Sequence, residues 1–130
     1  RQSMKENISP ENALSIFVES SIEHRNATEN GDYRRANKAY SSVVKSMKIL
    51  KEGGETDEFL KLLNHESPSV RLSSACALLS TFETEALRVL GELKNDTGLV
   101  SVAAQYTILE WEKGNLSLFD ESLTKRKPDR

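Results

Sequence analysis

The sequence has little of what usually marks a chemistry. A single cysteine, Cys76, in 130 residues excludes an internal disulfide and suits a reducing compartment. Three Pro and six Gly leave long stretches in which nothing interrupts a helix. No apolar run approaches the roughly 18 residues of a membrane span, and no signal-like hydrophobic region follows Met4. A cytoplasmic protein is expected. Neither sign of charge dominates, since 18 Lys and Arg stand against 20 Asp and Glu for a net charge of −2. A dedicated nucleic-acid binder would carry a basic excess.

Catalytic and metal-binding patterns are missing too. There is no GxGxxG, no phosphate-binding Walker loop, no CxxC and no HExxH. The two histidines, His24 and His65, stand 41 residues apart with no Cys or His at ligand spacing near either. Cys76 sits among Ala75, Ala77 and Leu78, which reads as a buried thiol and not as a nucleophile beside a base. His65 reads as a solvated turn residue, and acid pairs such as Asp57 and Glu58 as solvated surface. No enzyme, no metal and no cofactor is expected.

What is present is helical periodicity. Tyr33, Ala36, Tyr40, Val43, Val44, Met47 and Leu50 recur at the spacing of one buried helix face between Asp32 and Lys51. Asp32 is placed to cap that helix, and Gly53 and Gly54 to end it. Ser9-Pro10 predicts an earlier helix carrying Leu14, Phe17, Val18 and Ile22, ending at Asn30-Gly31. Others are expected over 56–64, from Ser67-Pro68 through Leu79, from Thr84 through Leu93, and over 98–113, closed by Gly114-Asn115. Trp111 reads as a packing residue. No sustained alternation of apolar and polar residues occurs, so no sheet is expected.

Shifting Glu66-Ser67-Pro68-Ser69-Val70 onto Asp96-Thr97-Gly98-Leu99-Val100, an offset of 30 residues, brings Leu78-Leu79 onto Ile108-Leu109. Each unit has an acid, a helix-starting residue, a Val, small residues and a Leu-rich end. Repeated units of this size bury their apolar faces by stacking on neighbours.

Residues 64–79, Asn64-His65-Glu66-Ser67-Pro68-Ser69-Val70-Arg71 through Leu78-Leu79, resemble a HEAT repeat. The resemblance implies that Pro68 starts a helix, Val70 packs inward, Ala75 permits close helix approach, and Arg71 bonds an acid or carbonyl of a neighbouring repeat. A wider stretch resembles a small bacterial HEAT-like family catalogued only as a domain of unknown function. It is carried by Gly31-Asp32-Tyr33-Arg34-Arg35-Ala36-Asn37-Lys38-Ala39-Tyr40, Pro68-Ser69-Val70-Arg71 and Leu109-Glu110-Trp111-Glu112-Lys113-Gly114. Ser73-Ser74 and Gly98 depart from the repeat pattern and imply looser packing there. Taken together, the expected fold is an all-α, HEAT-like α-α superhelix of about six helices in a right-handed solenoid. One domain is expected over 8–124, with flexible termini at 1–7 and 125–130. Leu116, Leu118, Phe119 and Leu123 are candidates for a short closing helix.

Charge placement adds a functional expectation. Between Asp32 and Lys51 one acid faces six bases, of which Arg34, Lys38 and Lys45 share a helix face; from Glu52 to Glu121 there are 13 acids and 5 bases. Several HEAT-like small proteins are immunity partners of bacterial toxins, so the resemblance implies a non-enzymatic protein-binding module that neutralises a toxin. A basic nuclease is the partner an acidic surface would attract. Candidate contact residues are Glu85, Glu92 and Asp96 along one side of the 84–95 helix and its end, with Glu112 on the last helix. A peptide-binding scaffold and, behind it, a nucleic-acid binder are the alternatives. Oligomeric state is left open.

Overall fold

The computed structural model describes residues 8–114, and the termini expected to be flexible and the candidate closing helix lie outside them. Among the described residues the chain is all-helical: α1 (Ala13–Glu29), α2 (Tyr33–Glu52), α3 (Thr56–Leu62), α4 (Pro68–Leu78), α5 (Glu83–Lys94) and α6 (Gly98–Lys113). No helix among them is long and apolar enough to cross a membrane.

The helix starts follow local chemistry. The Asp32 carboxylate accepts the Arg35 amide at 3.1 Å and begins α2. The Ser67 hydroxyl accepts the Val70 amide at 3.4 Å, and Pro68 fills the first turn of α4, where its missing N–H costs nothing. Gly98 and Gly114 bracket α6 at φ 78° and 77°, a left-handed backbone that a side chain would strain. Helix α1 starts later than Ser9-Pro10 predicts. Asn12 Oδ1 accepts the Ser9 amide at 2.7 Å, so that side chain closes a preceding turn and caps nothing in the helix. Helix α5 starts at Glu83, one residue before the expected Thr84.

One core draws on all six helices. Phe17 of α1 meets Phe59 of α3 edge-on, ring centroids 5.2 Å apart at 71°. Met47, Leu78, Leu79, Leu90 and Leu93 are fully or nearly fully buried beside them. Helix α1 runs along α2, α4 packs against both α3 and α5, and α5 against α6. Helices α1, α4 and α6 also touch one another, so the first described helix reaches the last. The offset of the sequence repeat survives in the fold, as α4 and α6 start at Pro68 and Gly98 and lie in contact.

Two expectations are corrected. Tyr33 is 72% exposed and not part of the α2 stripe. It is the first residue of the helix, where there is no preceding turn to pack against, and the buried row runs instead through Ala36, Ala39, Val43, Ser46, Met47 and Leu50. His65 is not simply solvated. Its Nδ1 accepts the Ser67 amide at 2.9 Å, and its carbonyl accepts Arg71 Nη1 at 2.6 Å. Arg71 therefore bonds a carbonyl, as the repeat pattern implies, but in the turn just ahead of its own helix.

Ser74 lies fully buried in α4, and its hydroxyl has no partner. An unmet buried hydroxyl costs roughly 1–3 kcal/mol, against the loss of only one small atom's packing. Ser74→Ala is expected to leave stability unchanged or to raise it by about 1 kcal/mol in urea denaturation. A loss of more than about 1 kcal/mol would mean that the hydroxyl is hydrogen-bonded after all.

Candidate functional site

The residues singled out for charge do not form one site. On the exposed face of α5, Arg88 reaches back to Glu85, Nη2–Oε1 2.9 Å, and forward to Glu92, Nη1–Oε2 3.0 Å. Glu85 and Glu92 are thus brought together, but around a shared guanidinium, leaving three charges with a net of one negative. The flanking carboxylates hold the Arg88 guanidinium above its usual value, chiefly through the Glu85 hydrogen bond. Asp96 closes the end of α5, its Oδ1 accepting the Thr97 amide at 2.9 Å. Glu112 is exposed on α6. Among the described residues no hydrogen bond or ion pair joins Asp96 or Glu112 to the Arg88 trio. Glu83, which sequence reasoning passed over, has a defined role: it accepts Trp111 Nε1 at 2.8 Å and ties α5 to α6.

One of the six bases of the 32–51 segment is also answered by acids. Arg35 Nε donates to Glu23 Oε2 of α1 at 2.6 Å and Arg35 lies 3.6 Å from Asp32. The Arg35 hydrogen bond holds the Glu23 carboxyl below the usual carboxylate range.

The pronounced surface feature is apolar instead. On α6, Leu99 (40% exposed), Val102 (62%), Tyr106 (54%) and Leu109 (55%) recur at spacings of three and four. That spacing places them in one row on the helix face opposite the buried Val100, Ala104 and Thr107. The repeat makes the contrast sharp, because Leu79 is 2% exposed where its counterpart Leu109 is 55% exposed.

Three residues of that row, Leu99, Val102 and Tyr106, also line an open cavity of about 390 Å³ between α1, α4 and α6. Short side chains leave the space open: Ser21 from α1, Ser69 and Ser73 from α4, and Ala103 from α6. Ser73 is where the repeat pattern departs toward looser packing, and the cavity lies there. The Ser21 and Ser73 hydroxyls are 2.9 Å apart, and Ser21 also bonds the Phe17 carbonyl at 2.8 Å. Leu72, Val100 and Tyr106 supply apolar wall, and the half-buried His24 flanks it. Burial pushes the His24 imidazole below its usual value, and its ring lies 5.6 Å from that of Tyr40. Apart from Ser73, no sequence signal pointed to this cavity, since its walls come from helices far apart in the chain. The α6 row was missed by the sequence reading, although apolar residues on more than one face of the 98–113 helix were the signal that could have found it.

Cys76 is a free thiol, partly buried on α4. Burial pushes its thiol up to about 12, with a hydrogen bond to Thr107 acting weakly in the opposite sense. At pH 8 only about one thiolate in ten thousand is then present, against roughly a quarter for a free cysteine. Cys76 is expected to react with a disulfide reagent at least about a thousandfold more slowly than free cysteine while the protein is folded. Labelling at the free-thiol rate would show the thiol to be outside the core. Among the described residues there is no group of three or more His, Cys, Asp or Glu able to hold a metal.

Comparison with known proteins returns no match among family models, curated proteins or solved structures.

Proposed function

We propose that this chain is a non-enzymatic protein-binding module, built as a HEAT-like α-α superhelix, whose partner lays an amphipathic helix along the exposed row of α6. The single observation that carries this reading is the row itself, Leu99, Val102, Tyr106 and Leu109, each at least 40% exposed. Scattered surface apolar residues are ordinary, but a contiguous row beside a groove is characteristic of an interaction surface. A helix with apolar side chains at i, i+3, i+4 and i+7 matches it in spacing. The superhelical reading is supported by α4 and α6 starting 30 residues apart and packing together.

In its narrower form the module is an immunity protein that neutralises a bacterial toxin by direct contact, a reading suggested by the family resemblance. A basic nuclease suits the acidic excess that begins at Glu52. The carboxylates would then steer the encounter and the apolar row would hold the complex. A peptide-binding scaffold would use the same row with a different partner. Nucleic-acid binding is disfavoured by the near-balanced net charge of −2, and Arg35, one of the six bases between Asp32 and Lys51, is engaged by Glu23 and Asp32. A cytoplasmic setting belongs to this proposal.

The test is co-expression with the product encoded next door, made inactive by mutation. A one-to-one complex that survives high salt and is disrupted by Val102→Asp supports the reading. Retention of nucleic acid with no protein overturns it, as does a complex that Val102→Asp leaves intact.

A further inference from the structure

The offset of 30 residues that lays α6 on α4 extends one helix further. Shifted by 30, α5 (Glu83–Lys94) falls on residues 113–124. Of the four positions that α5 buries, Ala86, Val89 and Leu93 fall on Leu116, Phe119 and Leu123. The fourth, Leu90, falls on Asp120, and the exposed Arg88 falls on Leu118. Leu116, Phe119 and Leu123 keep the i, i+3, i+7 spacing of one helix face. In the preceding unit α5 packs against α4, and Leu79 is buried in one cluster with Ala86, Val89 and Leu93. On α6 the counterpart Leu109 is 55% exposed, because no helix among the described residues follows α6 as α5 follows α4.

The chain also leaves α6 at the right end of the row. Helix α6 closes at Gly114, whose left-handed backbone turns the chain off the helix axis while its amide donates to the Glu110 and Trp111 carbonyls. Asn115 comes next, a residue type that caps helix starts. Antiparallel helix pairs are joined by connections as short as about two residues. Leu109 stands just over one turn before that corner, and Tyr106 stands one turn further back. From Leu116 to Leu123 is about 10 Å of helix, the same length as from Leu109 to Val102.

We propose that residues 115–124 form a short amphipathic helix that folds back antiparallel on α6 and covers the Tyr106–Leu109 end of the row with Leu116, Phe119 and Leu123. The inference rests on the reading of the row as a seat for an amphipathic helix, and it makes this chain the first occupant of that seat. A helix of about ten residues is marginal by itself, so a partner helix that takes the whole row displaces it.

Nuclear Overhauser contacts in the full chain, with no partner present, are the test. Contacts from Phe119, Leu116 and Leu123 to Tyr106 and Leu109 are expected. Phe119→Asp should abolish those of Leu116 and Leu123 and shift the Tyr106 and Leu109 amides, while the core contact of Phe17 with Phe59 is kept. No contact between residues 115–124 and the row would overturn the proposal. So would contacts that a mixture of labelled and unlabelled chains shows to be intermolecular, since the row would then belong to a second copy. Amides of Tyr106 and Leu109 that do not move in Phe119→Asp would overturn it as well. These contacts are read without a partner, so their presence beside a partner complex that Val102→Asp leaves intact would sustain the folded-back helix and strike only the partner reading.

Discussion

Replacing Phe17 by Ala is expected to be the most damaging single change in the described structure, costing about 3–5 kcal/mol. Phe17 is fully buried and meets Phe59 edge-on at 5.2 Å. The substitution removes a whole ring from a packed core and leaves a void that the surrounding helices fill only in part. It also removes an aromatic pair worth about 0.5–1.5 kcal/mol beyond its area. The position matters as much as the size. Phe17 joins α1 to the α3 end of the core, alongside the contacts that α1 makes with α4 and α6. A domain of this size has roughly 5–15 kcal/mol in all, so the variant would lose a large share of its stability. Phe17→Leu keeps most of the volume and should cost clearly less, about 1–1.5 kcal/mol. Urea denaturation of both variants measures the difference. A loss below about 1 kcal/mol for Phe17→Ala would mean that α1 is not anchored to the core as described.

That anchoring was partly legible in advance. Phe17 stood out as an apolar residue on a predicted helix, and the signals that begin and end helices were local. Asp32, Ser67-Pro68 and Gly114 each act on backbone groups within a few residues of themselves. Such chemistry can be read without knowing the fold. The 30-residue offset was legible for a related reason, since a repeat is a comparison of the sequence with itself. What failed were positions where a side chain had two possible partners. Asn12 spends its carboxamide on Ser9, delaying α1, and Tyr33 belongs by spacing to a stripe that has no neighbour at the helix start. His65 supports a turn through both its ring and its carbonyl, which composition does not reveal.

The candidate site shows the same division. Glu85 and Glu92 were correctly placed on one face of a helix, but the Arg88 that occupies the space between them lies on that face as well. Counting acids over a long segment loses that cancellation. The cavity was illegible because Ser21, Ser69 and Ala103 become neighbours only once three helices have packed. Of its small residues only Ser73 departs from the repeat pattern, and that departure was the one available signal.

The second large effect concerns the α6 row. Val102→Asp combined with Tyr106→Asp is expected to weaken the partner complex by a hundredfold or more, each position behaving as a central contact worth about 2 kcal/mol. Because Val102 and Tyr106 are 62% and 54% exposed, the same change should leave the free protein's stability within roughly 0.5 kcal/mol. That combination separates a docking surface from a structural one. Charge reversal of Glu85 and Glu92 should act differently. It leaves the apolar contact intact and is expected to slow association at low salt, with little change in the rate of dissociation. Surface plasmon resonance on the two sets of variants reads both rates. If the acidic reversals abolish the complex and the α6 pair does not, the interface lies on α5.

The most direct test of the central claim is hydrogen–deuterium exchange of the protein alone and in its complex. Helix amides are slow wherever they are well packed, so the informative region is the exposed helix α6 beside the cavity. Binding along the row predicts new protection concentrated in residues 99–109, with α5 little changed. Protection confined to α5 between Glu85 and Glu92, with 99–109 exchanging as in the free protein, would contradict the account.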